Sequence, residues 1–282
     1  MIRTFLHKLG TLACFLVAFG ALVFSTQAQA APKSELWDIW QEADESNTQR
    51  ISHSEWQFLL DSYLKVEKGA VSLFDYGAVS EEDSDRLDIY LMYLQSLDPR
   101  DFASNEQQAY WINLYNALTV QLILENYPVR SITKLGKGFF KFGPWDDEVA
   151  EVAGKTLTLN DIEHRILRPI WQDSRIHFAV NCASIGCPNL QSTAFTSENM
   201  DELLEQAAKE YLSHSRGANF DKDGNLKLSS IFDWYAVDFG DDQSEILAFL
   251  SRWAPEDVAE KMRSYSGHID YDYDWDLNEL TQ

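Results

Sequence analysis

Three stretches with apolar residues at helical spacing open the body of the chain. Trp56, Leu59, Leu60, Tyr63 and Leu64 follow Ser52-His53-Ser54-Glu55, and Leu87, Tyr90, Leu91, Leu94 and Leu97 follow Ser80-Glu81-Glu82-Asp83. Each leading tetrapeptide has capping-box spacing, in which a hydroxyl and an acid three residues on satisfy free N–H groups of the first turn. Asp98-Pro99 ends the second helix. Ser104-Asn105-Glu106-Gln107 opens a third, and Pro128 stops it, which predicts a helix over about 105–126. Apolar residues occupy nearly every face of this third helix, so it is expected at the centre of the fold with Asn113 and Asn116 embedded in it. Buried amides need partners, so they either tie neighbouring loops to the helix or orient a catalytic group or ligand.

Past the third helix the pattern shortens. Residues 131–147 read as an aromatic-rich loop, and Glu148–Leu157 as a hairpin turning near Ala153-Gly154. Thr158-Leu159-Asn160-Asp161 starts a helix expected to close at Pro169. Ile176–Asn181 reads as a strand, Ser197 to about Ser213 as a helix, and Asp221-Lys222-Asp223-Gly224-Asn225 as a polar turn. That turn resembles half an EF-hand loop, but Leu226 and Phe232 stand where Gly and Glu are required. Leu226–Phe232 is a further expected strand, and Ser244–Trp253 and Glu256–Tyr265 are helices. From Ile269 to Trp275 apolar residues alternate strictly with aspartates, as on an edge strand with a solvated acidic face. These elements predict a predominantly helical α+β domain with a small β-sheet.

Composition adds a compartment. In residues 1–30, Arg3 and Lys8 precede an apolar run from about Leu9 to Phe24, and Ala28-Gln29-Ala30 has the form of a signal-peptidase site. The expected organisation is a signal peptide over 1–30, an N-terminal helical extension over 31–70 and a single domain over 71–282. Cleavage would move the formal charge from −22 to −24, because Arg3 and Lys8 leave and no acid does. Such a surface does not suit nucleic acid or anionic lipid. No second run is long enough to span a membrane. A periplasmic or secreted soluble protein is expected, whose partner is an unidentified small molecule or protein.

Only Cys182 and Cys187 remain once Cys14 is removed with the leader. They lie in Arg175-Ile176-His177-Phe178-Ala179-Val180-Asn181-Cys182-Ala183-Ser184-Ile185-Gly186-Cys187-Pro188, the densest chemistry in the chain. Three readings are open. Cys182 is a nucleophile of a hydrolase or acyltransferase, with His164 as base and Glu163, Asn113 or Asn116 as orienting group. Alternatively, Cys182 and Cys187 form a disulfide that shapes a loop in a binding or scaffold protein. Finally, they exchange thiol and disulfide, although the spacing is not C-x-x-C. On a regular strand His177 would face away from Cys182. Arg168 and Arg175 are expected to pair with acids, with Arg168 a candidate for binding a carboxylate. His53, His214 and His268 read as surface histidines. No metal-ligand spacing is present and no cofactor is indicated.

Ala109-Tyr110-Trp111-Ile112-Asn113-Leu114-Tyr115-Asn116-Ala117, Asp161-Ile162-Glu163-His164-Arg165-Ile166-Leu167-Arg168, the Cys182–Cys187 stretch, Ile231-Phe232-Asp233-Trp234-Tyr235 and Tyr273-Asp274-Trp275-Asp276-Leu277-Asn278 resemble, in this order, the family known as domain of unknown function 547. The likeness runs from about Asp75 to Asn278 and is densest over 104–212. It implies an exported bacterial member without an assigned reaction. Some relatives have Ser at the position of Cys187, which makes Cys182 the more typical cysteine.

Overall fold

A computed structural model describes residues 32–67, 69–138 and 142–280. The expected signal peptide over 1–30 lies outside the described residues. Two adjoining apolar cores organise the rest: one around the three long helices and the residues after them, the other around the C-terminal third.

A 3-10 turn at Asp38–Gln41 places Trp40 against Trp111, with ring centroids 5.1 Å apart. Helix α1 (Ser54–Tyr63) leads into a two-residue strand, β1 (Leu64–Lys65), which pairs antiparallel with β2 (Leu73–Phe74). Helix α2 (Glu81–Ser96) begins as expected, with the Ser80 hydroxyl accepting from the Asp83 N–H. The box expected at Ser52 does not form: His53 holds the N-cap position of α1 without a side-chain bond, and α3 (Ser104–Asn126) starts after Ala103, also without one. In the first turn of α3 the Glu106 carboxylate accepts from the Ile51 N–H and the Ser197 hydroxyl, which stitches three segments together beneath the surface.

Helix α3 is buried continuously from Glu106 to Val120. Its amides close backbone gaps in two chain segments that lack sheet partners. Asn113 donates to Phe195 O and accepts from Phe195 N, at 2.7 and 3.1 Å. Asn116 donates to Ala179 O and accepts from Asn181 N, at 2.9 and 2.8 Å. Each side chain thus acts as one residue of a missing strand.

The hairpin β3 (Ala150–Val152) and β4 (Lys155–Leu157) turns through Ala153 and Gly154, both at positive φ, as a tight two-residue loop requires. The next helix differs from expectation. Asp161–Leu167 is π-helical and continues across Pro169 as α4 (Arg168–Trp171). The Arg168 N–H reaches back to Glu163 O, so the wide turn absorbs a proline that would end an α-helix. Pro169 has no N–H to offer the carbonyls of His164 and Arg165. The N-terminal segment supplies those donors, from Glu35 N and Trp37 N, each at 3.0 Å.

The expected strand at Ile176–Asn181 is absent. Ser174–Phe178 is a 3-10 helix, started by the Asp173 side chain accepting from Arg175 N. Ile176, His177, Phe178 and Ala179 are all buried, so no alternating face exists, and the local turn and Asn116 satisfy the backbone. After α5 (Met200–Ser213), β5 (Ala218–Phe220) and β6 (Leu226–Ser229) form an antiparallel pair across the polar turn. Short helices α6 (Ile231–Trp234) and α7 (Ala236–Phe239) precede α8 (Gln243–Leu250) and α9 (Glu256–Ser264). Strand β7 (Ile269–Asp272) joins β6 in parallel, giving the order β5-β6-β7. The fold is α+β and mostly helical, with three small sheets among the described residues instead of one. None of their helices is long and apolar enough to cross a membrane.

His53 corrects another expectation, for it is buried instead of exposed. Its Nδ1 lies 2.6 Å from the Tyr90 hydroxyl, and its Nε2 is buried without a partner. Burial lowers its pKa to about 4, against 6.5 when unfolded. The unfolded chain therefore takes up a proton that the fold refuses, and stability falls as pH drops from 6.5 to 4. Removing this group in His53→Phe is expected to save up to about 3 kcal/mol of that acid-side loss. Urea unfolding at pH 7, 5.5 and 4 reads the difference, and parallel curves for the two proteins would refute it.

Candidate functional site

Cys182 follows Asn181, whose amide donates to Pro188 O and accepts from Ala183 N, cinching a turn across both cysteines. Ala183 takes φ of +55°, a left-handed conformation that costs an alanine on the order of 1 kcal/mol. The result is that the two sulfurs face each other as free thiols at 2.7 Å. The Cys182 N–H donates to Cys187 Sγ at 2.9 Å, and the Tyr273 hydroxyl lies 3.0 Å from both Cys182 Sγ and Ser184 Oγ. Cys187 is buried, whereas Cys182 is partly open.

Burial pushes the Cys182 thiol well above its ordinary value. It acts the same way on Cys187, but hydrogen bonds from the Cys182 thiol, Tyr273, the Cys182 N–H and Ser184 overcome it and pull that thiol down. The backbone N–H of Cys182 favours negative charge on Cys187. Arg216 reinforces the geometry from beneath. Its guanidinium donates to Ile185 O and to Asn189 Oδ1, bracketing Cys187 two residues to either side.

The C-terminal segment beyond β7 forms the other wall. Ile185 N donates to Asp276 O, Gly186 N to Asp274 O, and Asn278 N to Ala183 O. Expected as one strand over Ile269–Trp275, this segment leaves the sheet after Asp272 and grips the thiol turn with its backbone. Tyr273 and Trp275 then continue an aromatic wall through Trp234 and Trp145 to exposed Phe142.

Glu163, His164, Arg168 and His177 lie in a separate charged cluster. His177 is stacked on Tyr235 with centroids 4.2 Å apart, its Nε2 2.6 Å from Asp238 and its Nδ1 3.5 Å from Glu163. Burial opposes charge on His177, but these two carboxylates raise its pKa. Arg168 grips both Asp238 oxygens, at 2.6 and 3.0 Å, and donates to His164 Nδ1 at 3.1 Å. His164 is thereby an acceptor, and burial lowers its pKa to about 4. Burial also works against the Glu163 carboxylate, yet the imidazoles of His164 and His177 and the Arg168 guanidinium hold it at about 2. Glu163 stands 3.9 Å from His164, too far for a hydrogen bond. Cys182 makes its side-chain contacts with Ser184, Cys187 and Tyr273, and no histidine is among them.

Asp238 and Arg216 are essential to these arrangements and went unread in the sequence, because no short motif carries them, while Tyr273 was read only as part of the C-terminal strand and motif. A signal existed for Asp238: two buried cationic candidates, Arg168 and His177, demand an acid from elsewhere in the chain.

Residues 99–212 match the family model described as Protein of unknown function, DUF547. The chain contains a DUF547 region. It begins at Pro99 and ends at Leu212, so it holds α3, the π-helix, the thiol turn and α5, but neither Asp238 nor Tyr273. Both clusters are completed by residues that follow the DUF547 region. No curated protein and no solved structure matches the chain.

Gly186 lies tight against the C-terminal segment. A Cβ there would lie 2.8 and 2.9 Å from the backbone N and O of Asp274. Gly186→Ala is expected to cost roughly 1–3 kcal/mol through this clash. It should also quicken alkylation of Cys187 by displacing Tyr273. Unchanged urea midpoints together with unchanged thiol reactivity would contradict the gripping role.

Proposed function

We propose that the chain is an exported protein whose Cys182 and Cys187 form an exchangeable dithiol–disulfide pair. The observation that carries this reading is the face-to-face placement of the two sulfurs at 2.7 Å in a turn held on both sides by hydrogen bonds. A bridge would enclose four residues and needs little movement of the backbone. The leader pattern of residues 1–30 sends the protein to an oxidising compartment, where such a pair can be kept oxidised.

The hydrolase reading asks for a base beside the nucleophile. The imidazoles of His164 and His177 hydrogen-bond to Arg168 and Asp238 instead, and the thiolate of lower pKa is the more buried sulfur. A redox role uses these same features: one accessible sulfur and one stabilised sulfur.

Thiol mapping of the mature protein by mass spectrometry, across a series of reduced to oxidised glutathione ratios, tests the proposal. A Cys182–Cys187 bridge that forms and reverses with the ratio is expected. Two thiols that stay free and alkylate at every ratio would overturn it. Rapid alkylation of Cys182 alone, lost in His164→Ala, would favour the hydrolase instead.

A further inference from the structure

The two sulfurs differ in ways that give an exchange reaction a direction. Cys187 is buried and takes the backbone N–H of Cys182 at 2.9 Å, whereas Cys182 is partly open, with Tyr273 at 3.0 Å and Ser184 at 3.3 Å beside its sulfur. Arg216 places a positive charge under the same turn. It is half-buried, its guanidinium lies over the Tyr211 ring at 5.4 Å, and its two terminal nitrogens hold Ile185 O and Asn189 Oδ1. Its remaining nitrogen, Nε, is buried without a partner. A buried guanidinium with a donor to spare is costly unless an anion lies nearby. The Cys187 thiolate fills that need only in the reduced protein.

Resting on the thiol–disulfide reading above, we infer that the oxidised pair is a disulfide donor to a dithiol polypeptide, with Cys182 the sulfur attacked and Cys187 the sulfur released. A partner thiolate attacks Cys182 Sγ, the Cys182–Cys187 bond breaks, and Cys187 leaves with the electron pair as a thiolate. The second partner thiolate then attacks the partner's own sulfur in the mixed disulfide. Cys182 leaves and takes a proton, the partner gains a disulfide, and this protein is reduced by two electrons. Exchange with a second disulfide, such as oxidised glutathione, regenerates the bridge and reduces that oxidant to two glutathione thiols. The direction follows because a better-stabilised leaving thiolate departs faster and a stabilised reduced form makes a stronger oxidant. Arg216 acts here as a positioning residue, through the turn and its charge, and not by touching the partner.

The test uses the mature chain equilibrated with glutathione, and then a synthetic two-cysteine peptide as partner. The wild-type bridge should be reduced at glutathione ratios that leave ordinary structural disulfides intact. Arg216→Gln and the isosteric Tyr273→Phe should each shift the equilibrium about tenfold toward the bridge, the size expected for one lost charge-assisted contact. The alkylation profile of Cys187 should move to higher pH in both, a change that a merely structural role would not produce. Cys187→Ser should give a stable mixed disulfide between Cys182 and the peptide, and Cys182→Ser should not. A bridge that persists in excess reduced glutathione, or an equilibrium unmoved in folded Tyr273→Phe, overturns the donor direction while the exchangeable pair stands. If no bridge forms at any ratio, the underlying reading itself has failed.

Discussion

Asn116 holds two backbone groups that no sheet or helix would otherwise satisfy, and the position of the thiol turn follows from it. Its amide spans Ala179 O and Asn181 N from the middle of a helix buried on every side. The segment leading to Cys182 is irregular, and a buried irregular segment is stable only where side chains stand in for missing ladder partners. Asn113 does the same for Phe195, at the start of the path into α5. The central helix is therefore both the apolar core and the template on which two loops acquire a fixed shape.

Proline does similar work in reverse at the π-helix. By withholding an N–H, Pro169 leaves the carbonyls of His164 and Arg165 open, and the segment around Glu35 and Trp37 docks onto them. Arg168 adds a bond to Pro32 O while gripping Asp238. The charged cluster is thus closed over by the first described residues. Its two imidazoles hold opposite protonation preferences because burial, helped by a facing guanidinium, disfavours charge on His164, while two carboxylates favour it on His177.

Much of the helical frame was legible in the sequence, since α2, α3 and α5 bury residues at the spacing that marks them. Ser80 capped its helix as its spacing implied, whereas Ser52 did not. A capping box records what a tetrapeptide can do, and the Glu55 carboxylate pairs with Arg86 instead. Ile176–Asn181 misled because a short apolar run with a polar residue inside it fits a strand and a buried turn equally well. The two cysteines were found by type, but the difference between them depends on a backbone N–H given to Cys187 and on side chains set beside Cys182. Those contacts come from folding and not from spacing. Asp238 and Arg216 lie far along the chain from the groups they serve, where pattern has no reach.

Tyr273 sits 91 residues beyond Cys182, and the backbone that grips the thiol turn comes from that same late segment. A chain made from its N-terminus presents both cysteines well before the strand-end that shelters them. During that interval the sulfurs are ordinary thiols of an open loop. The shelter over the two sulfurs is created last, when the C-terminal aromatic segment closes. Maturation of the site is therefore tied to completion of the chain.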